Sequence, residues 1–140
     1  MFSLIDAVLL RPLPFPDAQR IVVLWERHPH RDRQNPVSPV NYLDWRERTR
    51  SFEAMASAFS IPMNLSGIGE PRAVDGAMVG AEFFRVLGIS PLLGRTFNAS
   101  EDIPNGPNVA VLSYSLWRGQ FGGDRAILGN NIVDNSSASR

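Results

Sequence analysis

The sequence predicts a small α+β fold: a small mixed sheet with short amphipathic helices packed on it, arranged as two similar β-α units. Three observations carry the prediction. Residues Arg72–Phe97 read as a strand, a short amphipathic helix, a glycine stop and a tight Leu-Gly-Arg-Thr-Phe turn. A weaker copy of that pattern follows over Val109–Ile132. A hydrophobic content of 44% and a charged content of 20% over 140 residues are ordinary globular values, in a chain long enough for one domain with a core.

At the N-terminus, Phe2–Leu10 reads as the end of an amphipathic helix, with Leu4, Ala7 and Val8 on one face. It is too short for a membrane span and carries Asp6, and it lacks the basic start and small-residue cleavage site of a signal peptide. Arg11–Pro16 holds three prolines at alternate positions, which stop the helix and form a semi-rigid strut. An SH3-ligand reading of the strut is looser. Ile21–Trp25 (IVVLW) is a β-branched run and is expected as a buried strand. Glu26–Val37 is polar and aperiodic, and is expected as an exposed loop.

Ser38-Pro39 has the chemistry of a helix start, with an N-cap hydroxyl and proline at the first helical position. Tyr42, Trp45, Thr49 and Phe52 follow on one helical face, and Ser51 is expected to cap a further short turn. Ser60–Ser66 is expected as a strand, which Pro62 pushes to a sheet edge. Gly67–Pro71 is turn material. In the central unit Val74, Gly76 and Met78 alternate as a half-buried strand. Gly80 is expected as a modest N-cap, Gly88 as the helix stop and Gly94 as a turn residue of positive φ.

Asn98–Asn108 is a polar loop, and Val109–Leu112 is expected as a second buried strand. Ser113 is expected as an N-cap, followed by Tyr114, Trp117 and Phe121 on one face, Gly122-Gly123 as the stop and Asp124 capping a last turn. The two copies are offset by about 33 to 35 residues, as in a duplicated unit. The tail Asp134–Arg140 (DNSSASR) is small and polar and is expected to be disordered.

Composition narrows function by exclusion. Fourteen basic and 14 acidic side chains balance, which argues against a nucleic-acid surface. Cysteine is absent, which removes disulfides, thiolate metal sites and thiol nucleophiles. No Walker-type phosphate loop occurs, and Gly67-x-Gly69 lacks the third glycine and the strand of a dinucleotide fingerprint. His28 and His30 invite a metal reading, but three nearby arginines oppose a cation. Glu101 and Asp102 are too few, and wrongly spaced, for a Ca²⁺ loop. Asp44, Glu47, Glu101 and Asp102 are the candidate acid/base residues, with nothing in the sequence to pair them. Tyr42, Trp45, Phe59 and Trp117 could line a ligand pocket, and core packing uses the same residues. No catalytic residue, cofactor or metal site is assigned, and ligand-binding residues stay open.

Four stretches carry a family resemblance: Asp6–Glu26 (DAVLLRPLPFPDAQRIVVLWE), Ser38–Ser57 (SPVNYLDWRERTRSFEAMAS), Gly69–Phe97 and Val109–Gly129. They resemble the periplasmic core domain of MacB-like, FtsX-like ABC transporter permeases, in particular the large acidobacterial type. The resemblance implies a non-catalytic, extracytoplasmic module that passes conformational change, for efflux or for lipoprotein or substrate handling. The implied partners are the membrane-spanning part of the permease, a separate ATP-binding subunit and a periplasmic adaptor, in a dimeric transporter. The implied location is the periplasmic side of the inner membrane.

On this reading residues 1–16 are the end of a membrane-proximal helix with its strut, 17–133 the periplasmic core domain, and 134–140 the tail. Gly80 stands where the family usually has serine or threonine. DNSSASR replaces an expected strand, so the chain is expected to be a fragment of a longer permease. The alternative reading is a stand-alone periplasmic small-molecule or peptide-binding sensor.

Overall fold

The computed structural model describes residues 15–28, 30–66, 70–130 and 133–134, and its elements fall into two units. One takes the described residues up to Ala56 together with Glu82–Ser90; the other takes Ser57–Ala81 and the described residues from Pro91 onward. The helix end at Phe2–Leu10, most of the proline strut, the Gly67–Gly69 turn and tail residues 135–140 lie outside the described residues.

The first unit begins with a 3₁₀ turn at Ala18–Arg20. Strands β1 (Glu26–His28) and β2 (Arg31–Asn35) then pair antiparallel, with Glu26 opposite Asn35 and Arg27 opposite Gln34. The expected loop at Glu26–Val37 is therefore largely a hairpin. Its residues are polar throughout, so no apolar alternation signals it; backbone pairing alone defines it. The reverse correction applies just before it. Ile21–Trp25 lies outside any strand, with Val23 72% and Trp25 50% exposed. A β-branched run has the right propensity, but a strand also needs a neighbour for its N–H and C=O groups. None flanks this run among the described residues.

Helix α1 spans Pro39–Arg48. The Ser38 hydroxyl accepts from the Asn41 amide at 3.3 Å, and proline holds the first position, as the sequence reading requires. Thr49 is extended (φ −83°, ψ 129°), so the helix ends before Phe52, and the turn expected from Ser51 does not form. Tyr42 and Trp45 are half-buried. Helix α2 (Phe83–Leu87) is a short helix whose first two rings meet edge to face at 5.4 Å. Gly88 closes it at φ 67°. The Gly88 and Ile89 amides, each at 3.1 Å, bond back to Arg85 and Phe84, the two bonds of a Schellman stop. Gly80 does not cap α2. Glu82 stands at that position; its side chain caps no helix amide and instead accepts from the Arg85 guanidinium at 2.7 Å.

The second unit is built on β3 (Ala58–Ser66) and β4 (Arg72–Val79), paired antiparallel from Ala58↔Val79 to Leu65↔Arg72. Strand β5 (Val133–Asp134) joins the far side of β3 at Leu65 and Ser66, giving the order β4-β3-β5. The described residues form the small α+β fold that the sequence predicts, but their two sheets are both antiparallel, where the sequence reading gives one mixed sheet. Pro62 sits in the middle strand by order, yet β5 reaches only two residues of it. Beside Pro62 itself the side away from β4 carries no strand among the described residues, which is how a strand tolerates proline there. Asp134, placed at the head of the tail by sequence, is a β5 residue.

Ile61, Met63 and Leu65 alternate inward against exposed Ser60, Pro62 and Asn64. Among the described residues only Leu65 and Gly80 are buried. A Cβ on Gly76 would meet Met63, its Cγ at 2.8 Å, so the methionine lies across the bare strand at that glycine.

Helix α3 (Tyr114–Phe121) starts on the Ser113 hydroxyl, which accepts from the Leu116 amide at 3.2 Å. It stops at Gly122 (φ 61°). Asp124 caps the next 3₁₀ turn, Arg125–Ile127, by accepting from Ala126 at 2.9 Å. The duplication seen in sequence thus survives in backbone geometry. Gly88 and Gly122 stop the two helices in the left-handed region, and Gly94 (φ 75°) and Gly129 (φ 78°) turn the chain at matching places after them. The strand halves do not match. Val109–Leu112 forms no strand, with Val109 41% and Val111 36% exposed. Among the described residues no helix is long and apolar enough to cross a membrane.

Candidate functional site

The most organised polar cluster is the one built after the Gly94 turn. Arg95 faces Glu101 with both guanidinium ends: Nη1 donates to Oε2 at 2.9 Å and Nη2 to Oε1 at 2.5 Å. The Asn98 amide also donates to Glu101, at 2.9 Å, while the Asn98 side chain accepts from the Ser100 amide at 3.0 Å. This reciprocal pair is a capping box on the 3₁₀ turn Ala99–Glu101. The Glu101 side chain is 7% exposed. The Arg95 fork, and then the Asn98 amide, hold the Glu101 carboxyl down at about 2. Glu101 in turn raises Arg95 above its ordinary value. The next residue, Asp102, accepts from the Ala81 amide at 2.9 Å. Two adjacent carboxylates are therefore aimed at different N–H donors, and both are already committed. Such an arrangement holds backbone in place; a general acid or base needs a proton it can exchange near its working pH.

In the first unit, Glu26 accepts from the Ser38 amide at 2.8 Å and from the Asn41 side chain at 2.6 Å, which ties β1 to the start of α1. The Ser38 amide, followed by Asn41, lowers the Glu26 carboxyl below its usual range. Asp44 pairs with Arg48 at 2.7 Å along the helix. Glu47 is exposed on the same helix. So the four acid/base candidates divide two and two: Asp44 and Glu47 in the first unit, Glu101 and Asp102 in the second.

The aromatic candidates divide likewise. Tyr42 and Trp45 belong to the first unit, Phe59 and Trp117 to the second. The Tyr42 hydroxyl donates to the Met55 carbonyl at 3.4 Å, and the Arg46 guanidinium lies 5.6 Å from the Tyr42 ring centre. Trp117 donates its ring N–H to the Asp124 carbonyl at 2.9 Å, and its own carbonyl accepts from Gly123 at 3.0 Å. That indole fastens the end of α3. Phe59 is 57% exposed. A half-open recess in the first unit, about 220 Å³, is lined by Arg46, Thr49, Phe52, Glu53 and Met55 among others. Pockets that take drug-sized ligands usually run to roughly 300–1,000 Å³.

Among the described residues, no group of three or more His, Asp or Glu side chains could hold a metal ion. His30 lies at the hairpin turn; the side chain of His28 is outside the described residues. The residue that sequence reasoning missed is Arg95. The signal was present in Asn98-x-x-Glu101, the spacing of a capping box, whose glutamate can also take a neighbouring cation.

A family model described as the MacB-like periplasmic core domain matches residues 1–137. No curated protein and no solved structure is detectably similar to the chain.

Proposed function

Because the chain belongs to the MacB-like periplasmic core domains of ABC-type permeases, we propose that it works as a mechanical, non-catalytic extracytoplasmic module. The family is a transporter component that works with membrane and ATPase parts, and is not a catalytic family. On the proposed reading residues 17–133 form the periplasmic core domain, and residues 1–16 lead to it from a membrane-proximal helix. The domain passes conformational change between membrane helices and a periplasmic adaptor or substrate, driven by a separate ATP-binding subunit in a dimeric inner-membrane transporter. Efflux or lipoprotein handling is the process it serves.

The family match over nearly the whole chain carries this proposal. The commitment of Glu101, Asp102, Glu26 and Asp44 to structural bonds supports it, since a module that is moved needs a held backbone more than free reactive groups. The test is expression of the chain together with the coding sequence on either side of it. The product should fractionate with membranes and bring down an ATPase subunit. A product that does neither sinks the proposal.

A further inference from the structure

Asn105-Gly106 is the one Asn-Gly pair in the sequence. It lies in the polar loop that follows the Asn98 capping box, wholly within the second unit. Asn105 is exposed and left-handed, at φ 61°. Pro104 before it has φ locked negative by its ring. The Gly106 amide donates to the Ile103 carbonyl at 2.9 Å. Proline at the second position with positive φ at the third makes Ile103–Gly106 a type II turn, and asparagine tolerates that left-handed place. Glycine suits the next position, because a Cβ on Gly106 would lie 3.0 Å from the Ile103 carbonyl oxygen and 3.2 Å from that of Glu101.

The same pair sets a nucleophile beside an electrophile. Once a solvent base takes its proton, the Gly106 nitrogen can attack Asn105 Cγ. The N–Cγ bond forms, the Cγ–Nδ2 bond breaks, and ammonia leaves, taking a proton back from the solvent. Water then opens the cyclic succinimide at either carbonyl, to aspartate or to isoaspartate. Asparagine is a thermolabile residue, and glycine after it leaves the attacking nitrogen uncrowded. Other asparagines are held differently. Asn41 and Asn130 donate their side-chain amides to Glu26 and to the Ala126 carbonyl, each at 2.6 Å, and Asn98 accepts from the Ser100 amide at 3.0 Å. Each of the three precedes a residue with a side chain.

We infer that Asn105 is a deamidation site and that the Ile103–Gly106 turn sets its rate. While the turn is closed, the nitrogen that must give up its proton holds it in the bond to Ile103. Reaction therefore waits for local opening, which costs far less than global unfolding. Reclosing does not undo it. A carboxylate replaces a neutral side-chain amide, and isoaspartate adds a methylene to the backbone inside the turn. The inference does not depend on the permease reading, so either can fail alone.

The test uses the full chain, aged in mildly alkaline buffer and mapped by tandem mass spectrometry, with isoaspartate methyltransferase labelling. Deamidation should concentrate at Asn105 and leave Asn41, Asn98 and Asn130 intact. In urea at the same pH it should run about fivefold faster at Asn105, the scale of one net hydrogen bond lost. Pro104→Ala, which returns freedom to the open chain, should quicken Gly106 amide exchange and Asn105 deamidation together, each about threefold. Asn105→Gly, which suits the same backbone, should remove most of the label from the folded chain. Label that accumulates at another asparagine, equal rates with and without urea, or a Pro104→Ala chain whose two rates do not rise together overturns the inference.

Discussion

Replacing Gly119 and Gly122 in turn by alanine adds the same methyl group to the same helix end, and the two variants are expected to move in opposite directions. Gly119 lies inside α3, with nothing within 4 Å of an added Cβ and ordinary helical φ. Alanine there removes only the entropic handicap of glycine and gains about 0.5–1 kcal/mol. Gly122 also has open space around it, so sterics with neighbours do not enter. Its backbone, at φ 61° and ψ 14°, is left-handed, where an L side chain costs about 1–2 kcal/mol. The two variants should differ by about 2 kcal/mol with no difference in contacts. The readout is amide exchange at Trp117, which bonds to the Ser113 carbonyl, and at Gly123, which bonds to the Trp117 carbonyl. Gly119→Ala should slow both roughly threefold and Gly122→Ala should speed both roughly tenfold, at 1.4 kcal/mol per decade. Shifts of the same sign would refute the assignment of the helix stop to backbone handedness.

Further outcomes follow from the same geometry. Ser113→Ala should cost α3 about 1 kcal/mol, seen as faster exchange in its first turn, while Ser113→Asp should keep the cap. Glu101 titrates from an ordinary 4.5 down to about 2, so its depressed carboxyl stabilises the fold above the ordinary value and loses that contribution as pH falls from about 4.5 through about 2. A carboxyl-carbon NMR titration should place its midpoint near the lower value, and Glu101→Gln should flatten acid loss of structure across that window; a midpoint near 4.5 would contradict the Arg95 fork. Gly76→Val should cost about 1–3 kcal/mol by displacing Met63. Pairing it with Met63→Ala should return part of the loss, measured by urea unfolding of the double-mutant set.

What could be read in the sequence was whatever depends on neighbours along the chain. Ser38, Ser113 and Asp124 cap as their residue types demand, and Gly88, Gly94 and Gly122 take positive φ where the helices and turns end. Pairing across distance was not readable. Ile21–Trp25 and Val109–Leu112 have strand composition without a strand beside them among the described residues, while the polar Glu26–Asn35 stretch folds as a hairpin. The acidic candidates show the same limit. Glu101 and Asp102 stood out as residue types, but their meaning lay in partners: Arg95, six residues away, and Ala81, 21 away. Those partners turned two possible reagents into two fasteners.

The bare run Ile21–Trp25 has a practical consequence for anyone handling this chain alone. Five consecutive apolar residues, rich in β-branching, stand outside any sheet with Val22 58% and Val23 72% exposed. Uncharged segments of this kind template cross-β stacking between molecules. The only charges guarding it are Arg20 and Glu26 at its two ends, the positions where gatekeeper residues act. Concentrated solutions of the isolated chain should therefore scatter light and bind an amyloid dye, and Val23→Lys should clear them.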